Sequence, residues 1–128
     1  LATLTGAMII ALGHEYAGVF SNDDALAWDL VSAGRATGEQ LWYMPMCDAW
    51  DKAIDSPAAD MKNISGGRDA GSAIGAHFLK RFIQDGVKWA HLDIAGVAWS
   101  NKDRPGVPKG ASSFGVRLLD KYVADNWE

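Results

Sequence analysis

The stretch GSAIGAHFLKRFIQDGVKWAHLDIAG, residues 71–96, contains a helix pattern that is followed almost at once by a strand pattern. Ile74, Phe78 and Phe82 recur every fourth residue, which predicts one apolar face of an amphipathic helix. Residues 89–96 then form the next strand, in which charged and apolar side chains are mixed. A helix that leads into a strand is typical of a sheet that is covered by helices.

The same alternation continues on both sides of this stretch. The predicted elements are a buried strand at residues 1–5, a short buried helix at 7–12, a helix from the caps at 21–24 to about Ala33, a strand at 41–44, a short helix at 47–54, a loop at 100–113 and a last helix capped by Ser112 or Ser113 with Val116, Leu119 and Val123 on its apolar face. Such a chain predicts an α/β fold, in which ligands bind at the carboxyl ends of the strands.

The composition excludes several classes of protein. With 48% hydrophobic residues and 6 Trp, the chain is too apolar to be a disordered segment. The net charge of −4 gives no basic surface for a phosphate backbone, so nucleic acid is disfavoured as a partner. The only cysteine is Cys47, which rules out an internal disulfide and fits a reducing compartment. The longest apolar stretch, residues 7–12, falls far short of the ~20 residues of a membrane-spanning helix. We expect a cytoplasmic protein with no membrane partner.

Complete catalytic motifs are not found in the sequence. His14-Glu15 begins like a zinc-protease helix, but Gly18 stands where the second histidine would be required. Residues 110–114 carry Phe114 in place of the second glycine of a nucleophile elbow, which argues against a serine nucleophile. We therefore assign no catalytic residue and no metal ligand within this chain.

Weaker signals leave alternatives open. His91 and Asp93 alternate along one strand and share a face, so they are a possible metal or proton-transfer pair, although a hydrogen-bonded structural pair is favoured. His77 lies in the middle of the predicted helix, where a satisfied or exposed histidine is expected. The glycine-rich residues 65–71 could cradle an anion, but a turn with Asp69 as a helix cap is favoured.

Three segments together resemble the leucine aminopeptidase family of two-metal exopeptidases. They are LATLTGA at residues 1–7, WAHLDIAG at 89–96, and KDRP at 102–105 with PKG at 108–110. Their order and spacing are also similar to the family, and the resemblance covers essentially the whole chain. It implies a three-layer α/β/α sandwich with a mixed central sheet, incomplete in this chain, in which residues 1–128 are the carboxy-terminal portion of the catalytic domain.

The resemblance also implies an activity. Family members remove an amino-terminal residue, often leucine, from peptides with two divalent ions of zinc, manganese or magnesium that activate a water. The family's metal ligands and catalytic Lys and Arg lie upstream, in a region that ends with an Asn-Thr-Asp-Ala-Glu-Gly-Arg motif absent here. We expect a metalloaminopeptidase as the parent protein, and we expect this chain to be truncated and inactive alone.

Five substrate-binding positions are implied by the resemblance: Thr3, Leu4, Gly6, Ala95 and Ala98. The backbone of Thr3 and Leu4 would lie beside the substrate, with the Leu4 carbonyl accepting a hydrogen bond and the Gly6 amide donating one. A glycine allows close approach of the backbone. Ala95 and Ala98 would line the pocket for the first substrate side chain, and other members can carry a larger residue such as Met at the position of Ala98.

The implied partners are a peptide substrate, the upstream part of the same protein and further copies in a homo-hexamer. Four tryptophans are interface candidates by residue type alone: Trp28, Trp42, Trp50 and Trp99. The alternative interpretation is a noncatalytic assembly or interaction module.

Overall fold

The computed structural model describes all residues from 1 to 128, which form five helices and five strands. In chain order these are α1 (Gly6–Leu12), β1 (Ala17–Ser21), α2 (Asp24–Thr37), β2 (Leu41–Tyr43), α3 (Asp48–Lys52), α4 (Gly71–Lys80), β3 (Ala90–Asp93), β4 (Trp99–Ser100), β5 (Gly110–Ala111) and α5 (Val116–Trp127). No helix has both the length and the apolar content that crossing a membrane requires.

The main sheet has the strand order β2-β1-β3. β1 runs parallel to β2 and antiparallel to β3, so the sheet is mixed, as predicted. Every residue of β1 is buried, which is expected for a central strand with helices on both faces. On the far side of β3, Ala2 forms an isolated parallel bridge with Asp93. β4 and β5 form a separate antiparallel pair.

Helices cover both faces of this sheet. On one face Val19 and Leu92 pack into a core to which α2 and α5 contribute Leu30 and Leu118. On the other face Phe20 packs with residues of α1 and α4. This arrangement confirms the three-layer α/β/α sandwich, because the side chains of neighbouring strand residues point to opposite faces.

Local chemistry explains two of these contacts. The Asp23 carboxylate accepts a hydrogen bond from the Leu26 N–H at 2.8 Å and caps α2, which confirms the capping role predicted for residues 21–24. A Cβ atom at Gly18 would lie 2.3 Å from the Met8 Cε, so glycine there lets α1 pack directly on the sheet. α2 continues beyond the predicted end near Ala33, to Thr37.

The predicted apolar face of α4 is wrong in part, since Ile74 is buried as predicted but Phe82 is not. Phe82 is 67% exposed and lies beyond the end of the helix at Lys80. The face that packs on the sheet contains Ala73 and Ala76, because small side chains let the helix approach the large Phe20 and Met8. The predicted face was drawn through the largest apolar residues of the helix, whereas the helix packs on the sheet through its alanines.

The predicted cap of α4 is also wrong. The helix begins at Gly71 after Ala70, which has a left-handed backbone with φ of 50°, and Asp69 makes no capping hydrogen bond. At α5 the N-cap is Gly115, with φ of 101°, rather than Ser112 or Ser113. A glycine adopts this conformation without strain.

The chain termini differ from the prediction in burial. The first five residues contribute a single bridge rather than a buried strand, and Leu1 is 55% exposed. α1 is present as predicted but buries only Met8, while Ile10 is 89% exposed. In α5 the buried residue is Leu118, whereas the predicted Val116 is 65% exposed.

Candidate functional site

Two segments that are far apart in the chain meet where β3 ends. The Ala2 N–H donates to the Leu92 carbonyl at 3.1 Å, and the Ala2 carbonyl accepts from the Ile94 N–H at 2.9 Å. Because the bridge is parallel, the residues that follow Ala2 and those that follow Asp93 leave the sheet at the same end. We name this region, made of residues 2–6, residues 93–98 and the first turn of α4, the Asp93 end.

The side chain of Asp93 is the centre of this region. It is completely buried, and its Oδ1 accepts hydrogen bonds from the N–H groups of Leu4 and Ala95, each at 3.2 Å. Its Oδ2 accepts from the Thr5 hydroxyl at 2.7 Å. Three donors thus satisfy a buried carboxylate, as burial of a charged or polar group requires.

The Thr5 hydroxyl extends this network to two helices. It accepts from the Met8 N–H at 3.3 Å and so caps α1, and it lies 2.7 Å from the Ser72 Oγ in the first turn of α4. A hydroxyl has one hydrogen to donate, and that of Thr5 goes to Asp93, so Ser72 is the donor to Thr5. The chain of donors runs from Ser72 through Thr5 to Asp93.

The five positions implied by the family resemblance all lie at the Asp93 end. Thr3, Leu4 and Gly6 are exposed, whereas Ala95 and Ala98 are half-buried. Asp93 Oδ1 accepts from the N–H groups of both Leu4 and Ala95, so the two segments are neighbours. Ala98 is held separately, because its N–H donates to the Ile94 carbonyl and its own carbonyl accepts from the Ser112 N–H, each at 3.0 Å.

His91 and Asp93 share a face and are both buried, as their alternation predicts. The hydrogen bonds of Asp93 go to Leu4, Thr5 and Ala95 rather than to His91. The His91 ring stacks between Phe20 and Trp89, with centroid distances of 6.1 and 6.5 Å, and its buried Nε2 has no hydrogen-bond partner. Burial lowers the pKa of His91.

The network includes three residues whose roles sequence reasoning missed. Asp93 was considered only as a partner of His91, Thr5 only as part of a strand, and Ser72 not at all. The donors Leu4 and Thr5 are 89 and 88 residues away from Asp93 along the chain, so no local spacing predicts these contacts. The usable signal was a threonine directly before a helix, which is a common N-cap.

The opposite end of the sheet holds a second group of polar residues. The parallel strands β1 and β2 end there, at Ser21 and Tyr43, beside a cleft that is also lined by Cys47, His77 and Lys80. We name residues 21–24, 43–55 and 77–81 the His77 end. It lies away from the five predicted substrate positions.

His77 is buried at this end rather than exposed. Its Nε2 accepts a hydrogen bond from the Cys47 N–H at 3.1 Å. Its Nδ1 lies 3.8 Å from the Asp51 Oδ1 and makes no hydrogen bond, so the histidine predicted to be satisfied or exposed is instead buried and satisfied at one ring nitrogen only. Burial lowers the pKa of His77, and the nearby Asp51 carboxylate opposes this shift only in part.

Charged pairs surround His77. Arg81 donates from Nε and Nη2 to the two carboxylate oxygens of Asp51, both at 2.9 Å, and from Nη2 to Asp55 at 2.7 Å. The bonds from Arg81 lower the pKa of Asp51. In the same cleft the Tyr43 hydroxyl donates to Asp24 at 2.5 Å, and burial together with this carboxylate raises the pKa of Tyr43 to about 12.

The other motifs behave as structural elements. His14 Nδ1 lies 2.7 Å from the Gly96 carbonyl oxygen and Glu15 lies 3.5 Å from Arg104, so both are polar loop residues, as favoured from the sequence. Residues 65–70 form turns and bends before α4.

The chain gathers no group of three or more His, Cys, Asp or Glu residues that could hold a metal ion. Its residues therefore do not fit the two-metal centre that the family resemblance implies.

The three-layer α/β/α domain thus brings two distant segments together at one end of a mixed sheet, where α/β folds bind ligands. The family model described as "Cytosol aminopeptidase family, catalytic domain" matches residues 1–120. The chain is 57% identical to a "Probable cytosol aminopeptidase" of Caulobacter vibrioides, covering 100% of the chain and 26% of the relative. It is 59% identical to a protein of the same name from Rickettsia canadensis, covering 98% of the chain and 25% of the relative.

A solved structure is also similar. A mutant of tomato leucine aminopeptidase superposes with a TM-score of 0.88 at 44% identity, covering 98% of this chain and 24% of that chain. The chain belongs to the cytosol aminopeptidase family. It spans about a quarter of the length of the relatives it matches.

Proposed function

We propose that residues 1–128 form the carboxy-terminal, substrate-pocket portion of the catalytic domain of a metal-dependent leucyl aminopeptidase, which removes amino-terminal residues from peptides. One observation carries this proposal: the two segments that the resemblance places beside the substrate leave the sheet at the same end and share one carboxylate oxygen. The names of the relatives, which are cytosol and leucine aminopeptidases, support the activity.

In this proposal the first segment binds the main chain of the peptide. Thr3 lies alongside it, the Leu4 carbonyl accepts a hydrogen bond from it, and the Gly6 N–H donates one to it. The exposure of all three residues supports this role. A Cβ atom added at Gly6 would meet no atom of this chain within 4 Å, so a ligand could approach its backbone closely.

The second segment forms a wall for the first side chain of the peptide. Ala95 and Ala98 are half-buried and small, so they leave room for a branched side chain such as that of leucine. Burial of an apolar side chain against such a wall contributes roughly 25 cal/mol for each Å² removed from water. Selectivity then depends on how much volume the wall leaves free.

The remaining machinery belongs to polypeptide that precedes residue 1. Two divalent ions, of zinc, manganese or magnesium, would be held there, where they would activate water and polarise the peptide carbonyl. We also propose a homo-hexamer in the cytoplasm. The exposed Trp28, Trp42 and Trp99, at 55%, 58% and 62%, are candidates for its interfaces, whereas Trp50 is partly packed against the core.

A hybrid protein tests this proposal. We define the hybrid peptidase as the Caulobacter vibrioides relative in which this chain replaces the matching segment, which is 57% identical. With added Mn²⁺ or Zn²⁺ it is expected to release leucine from leucyl amides and short leucyl peptides. The isolated chain, assayed alongside, is expected to release none.

Two results would contradict the proposal. A correctly folded hybrid peptidase without activity, beside an active unmodified relative, would favour the noncatalytic assembly module. Release of leucine by the isolated chain would show that the reacting groups lie within these 128 residues.

A further inference from the structure

The Asp93 side chain and the Thr5 hydroxyl join the two halves of the proposed pocket. We propose that these two groups form a clasp that fixes the distance and orientation between the main-chain segment, residues 3–6, and the side-chain wall, residues 95–98. Both are positioning residues that set how well the peptidase distinguishes amino-terminal side chains. This inference rests on the proposed function of the same site.

The first argument is the convergence of two amides on one atom. The N–H groups of Leu4 and Ala95 both donate to Asp93 Oδ1, each at 3.2 Å. The two nitrogen atoms therefore lie no further apart than twice that distance. Removal of this one acceptor oxygen is therefore expected to displace one residue in each half of the pocket.

The second argument is how little else holds the first segment. The sheet contributes only the bridge at Ala2, and Thr3 and Leu4 continue without strand pairing. Leu4 packs near α4, where a Cβ atom at Gly75 would lie 3.1 Å from the Leu4 Cδ2. Apolar contact alone is non-directional, so the hydrogen bonds to Asp93 determine the orientation of the backbone.

The third argument is the position of the Asp93 carboxylate. The side chain is completely buried, and each of its oxygens accepts from a donor within this chain. It is therefore placed to act through Leu4, Thr5 and Ala95 rather than on a peptide directly. The Ser72 hydroxyl, itself buried, fixes Thr5 in turn and connects the clasp to α4.

Substitutions at Thr5 in the hybrid peptidase test the clasp. Thr5→Val removes the hydroxyl but keeps the shape, Thr5→Ser restores the hydroxyl, and Thr37→Val is the matched control. The Thr37 hydroxyl donates to the Ala33 carbonyl at 2.9 Å at the end of α2, so the control loses one hydrogen bond away from the Asp93 end. For each variant, kcat and KM are measured on leucyl and alanyl amides.

The clasp predicts that Thr5→Val changes the selectivity between substrates as well as the rate. Thr5→Val is expected to lower kcat on the leucyl amide about tenfold or more and to shift the leucyl-to-alanyl ratio of kcat/KM about threefold or more, because small misplacements of binding groups cost large factors in rate. Thr5→Ser and Thr37→Val are expected to keep this ratio within about twofold of the parent, since neither removes the hydroxyl at residue 5. An unaltered ratio in Thr5→Val would overturn the clasp.

Hydrogen exchange provides a second readout in case Thr5→Val is poorly folded. In Asp93→Leu, which keeps the branched shape of the side chain but has no acceptor oxygen, the amides of Leu4 and Ala95 are expected to exchange faster, while the amides of α2 are unaffected. Unchanged exchange at both residues would overturn the clasp. An inactive parent hybrid would refute the proposed function and this inference with it, whereas an active parent with an unaltered Thr5→Val would refute the clasp alone.

Discussion

The Asp93 end and the His77 end lie at opposite ends of one sheet and organise their polar groups differently. At the Asp93 end, one buried carboxylate takes three donors, two of which come from residues distant in the chain. At the His77 end, the carboxylate of Asp51 is 39% exposed and pairs with Arg81, while buried His77 leaves one nitrogen without a partner. The first network fixes backbone segments, and the second joins the side chains of two helices.

The difference shows why a cleft at strand ends does not by itself locate a site. Ligands in α/β sheets bind at the carboxyl ends of strands. In a mixed sheet both ends satisfy that rule, since β3 ends at Asp93 whereas β1 and β2 end at Ser21 and Tyr43. Here the cleft lined by His77 lies at one end, while the five positions proposed to bind substrate lie at the other.

The largest expected effect is at Asp93. Asp93→Ala in the hybrid peptidase leaves the N–H groups of Leu4 and Ala95 and the Thr5 hydroxyl without their acceptor, so the free energy of unfolding is expected to fall by about 3 kcal/mol or more. Urea unfolding measures this change. Asp125→Ala, which removes a pair with Lys121 on the exposed side of α5, is the control and should change stability little. Equal losses in the two variants would show that the buried carboxylate stabilises the fold no more than an exposed one.

The next effect concerns the proposed wall. Ala98→Met in the hybrid peptidase fills part of the space offered to the first side chain and is expected to lower kcat/KM for leucyl relative to alanyl amides by about tenfold. Ala36→Met, at an exposed position of α2, serves as the matched control. Selectivity that stays the same in both variants would exclude Ala98 from the pocket.

A smaller effect is expected at the His77 end. Arg81→Ala removes the paired hydrogen bonds to Asp51 and the bond to Asp55, but Asp51 and Asp55 are 39% and 66% exposed, so solvent screens both charges. The expected loss of unfolding free energy is about 1 kcal/mol, with leucyl-to-alanyl selectivity intact. A selectivity change as large as that of Thr5→Val would show that the two ends are not independent.

The smallest effect is a dependence of stability on pH. Burial lowers the pKa of His77 and of His91 in the folded state, so the unfolded chain binds protons first as the pH falls. The stabilisation is complete above the ordinary histidine value of 6.5 and is lost as the pH falls from there through the lowered folded values. Unfolding free energies at pH 7.5 and pH 5.5 are expected to show this loss, and His77→Gln to reduce it. If His77→Gln loses as much unfolding free energy between pH 7.5 and pH 5.5 as the parent does, the pH dependence does not arise from His77.

The groups around His77 contribute with known signs. Asp51 and Asp48 favour its charged form, whereas Lys80 and Arg81 disfavour it. Asp51 itself has a lowered pKa, so its contribution is present above its ordinary value of 3.8 and is lost only at more acidic pH. The window between pH 7.5 and pH 5.5 therefore reports on the histidines.

Local chemistry made much of the fold predictable from the sequence. The Asp23 cap, the strand at Leu41 and the helix–strand order around residues 71–96 depend on neighbours in the chain, and the structure contains them. The apolar faces were predicted less well, because α4 packs through Ala73 and Ala76 rather than through its phenylalanines. Which face a helix buries depends on the surface it meets, and the helix sequence does not contain that information.

The candidate site shows the same limit. The positions of Leu4 and Ala95 could be named only from the resemblance, since no residue pattern links segments 89 residues apart. The carboxylate that joins them was visible in the sequence as Asp93, but its partners were not. A buried carboxylate needs hydrogen-bond donors, and the topology of the chain determines which donors lie close to it.

α4 touches both ends of the sheet. Ser72 in its first turn contacts Thr5, and Arg81 just beyond its last turn binds Asp51, with a helix of 10 residues, about 15 Å long, between them. The two ends of this helix are held by different neighbours, Thr5 at the first turn and Asp51 and Asp55 beyond the last. Variation in α3 can therefore alter the anchoring of one end of α4 while the hydrogen bonds at the other end persist.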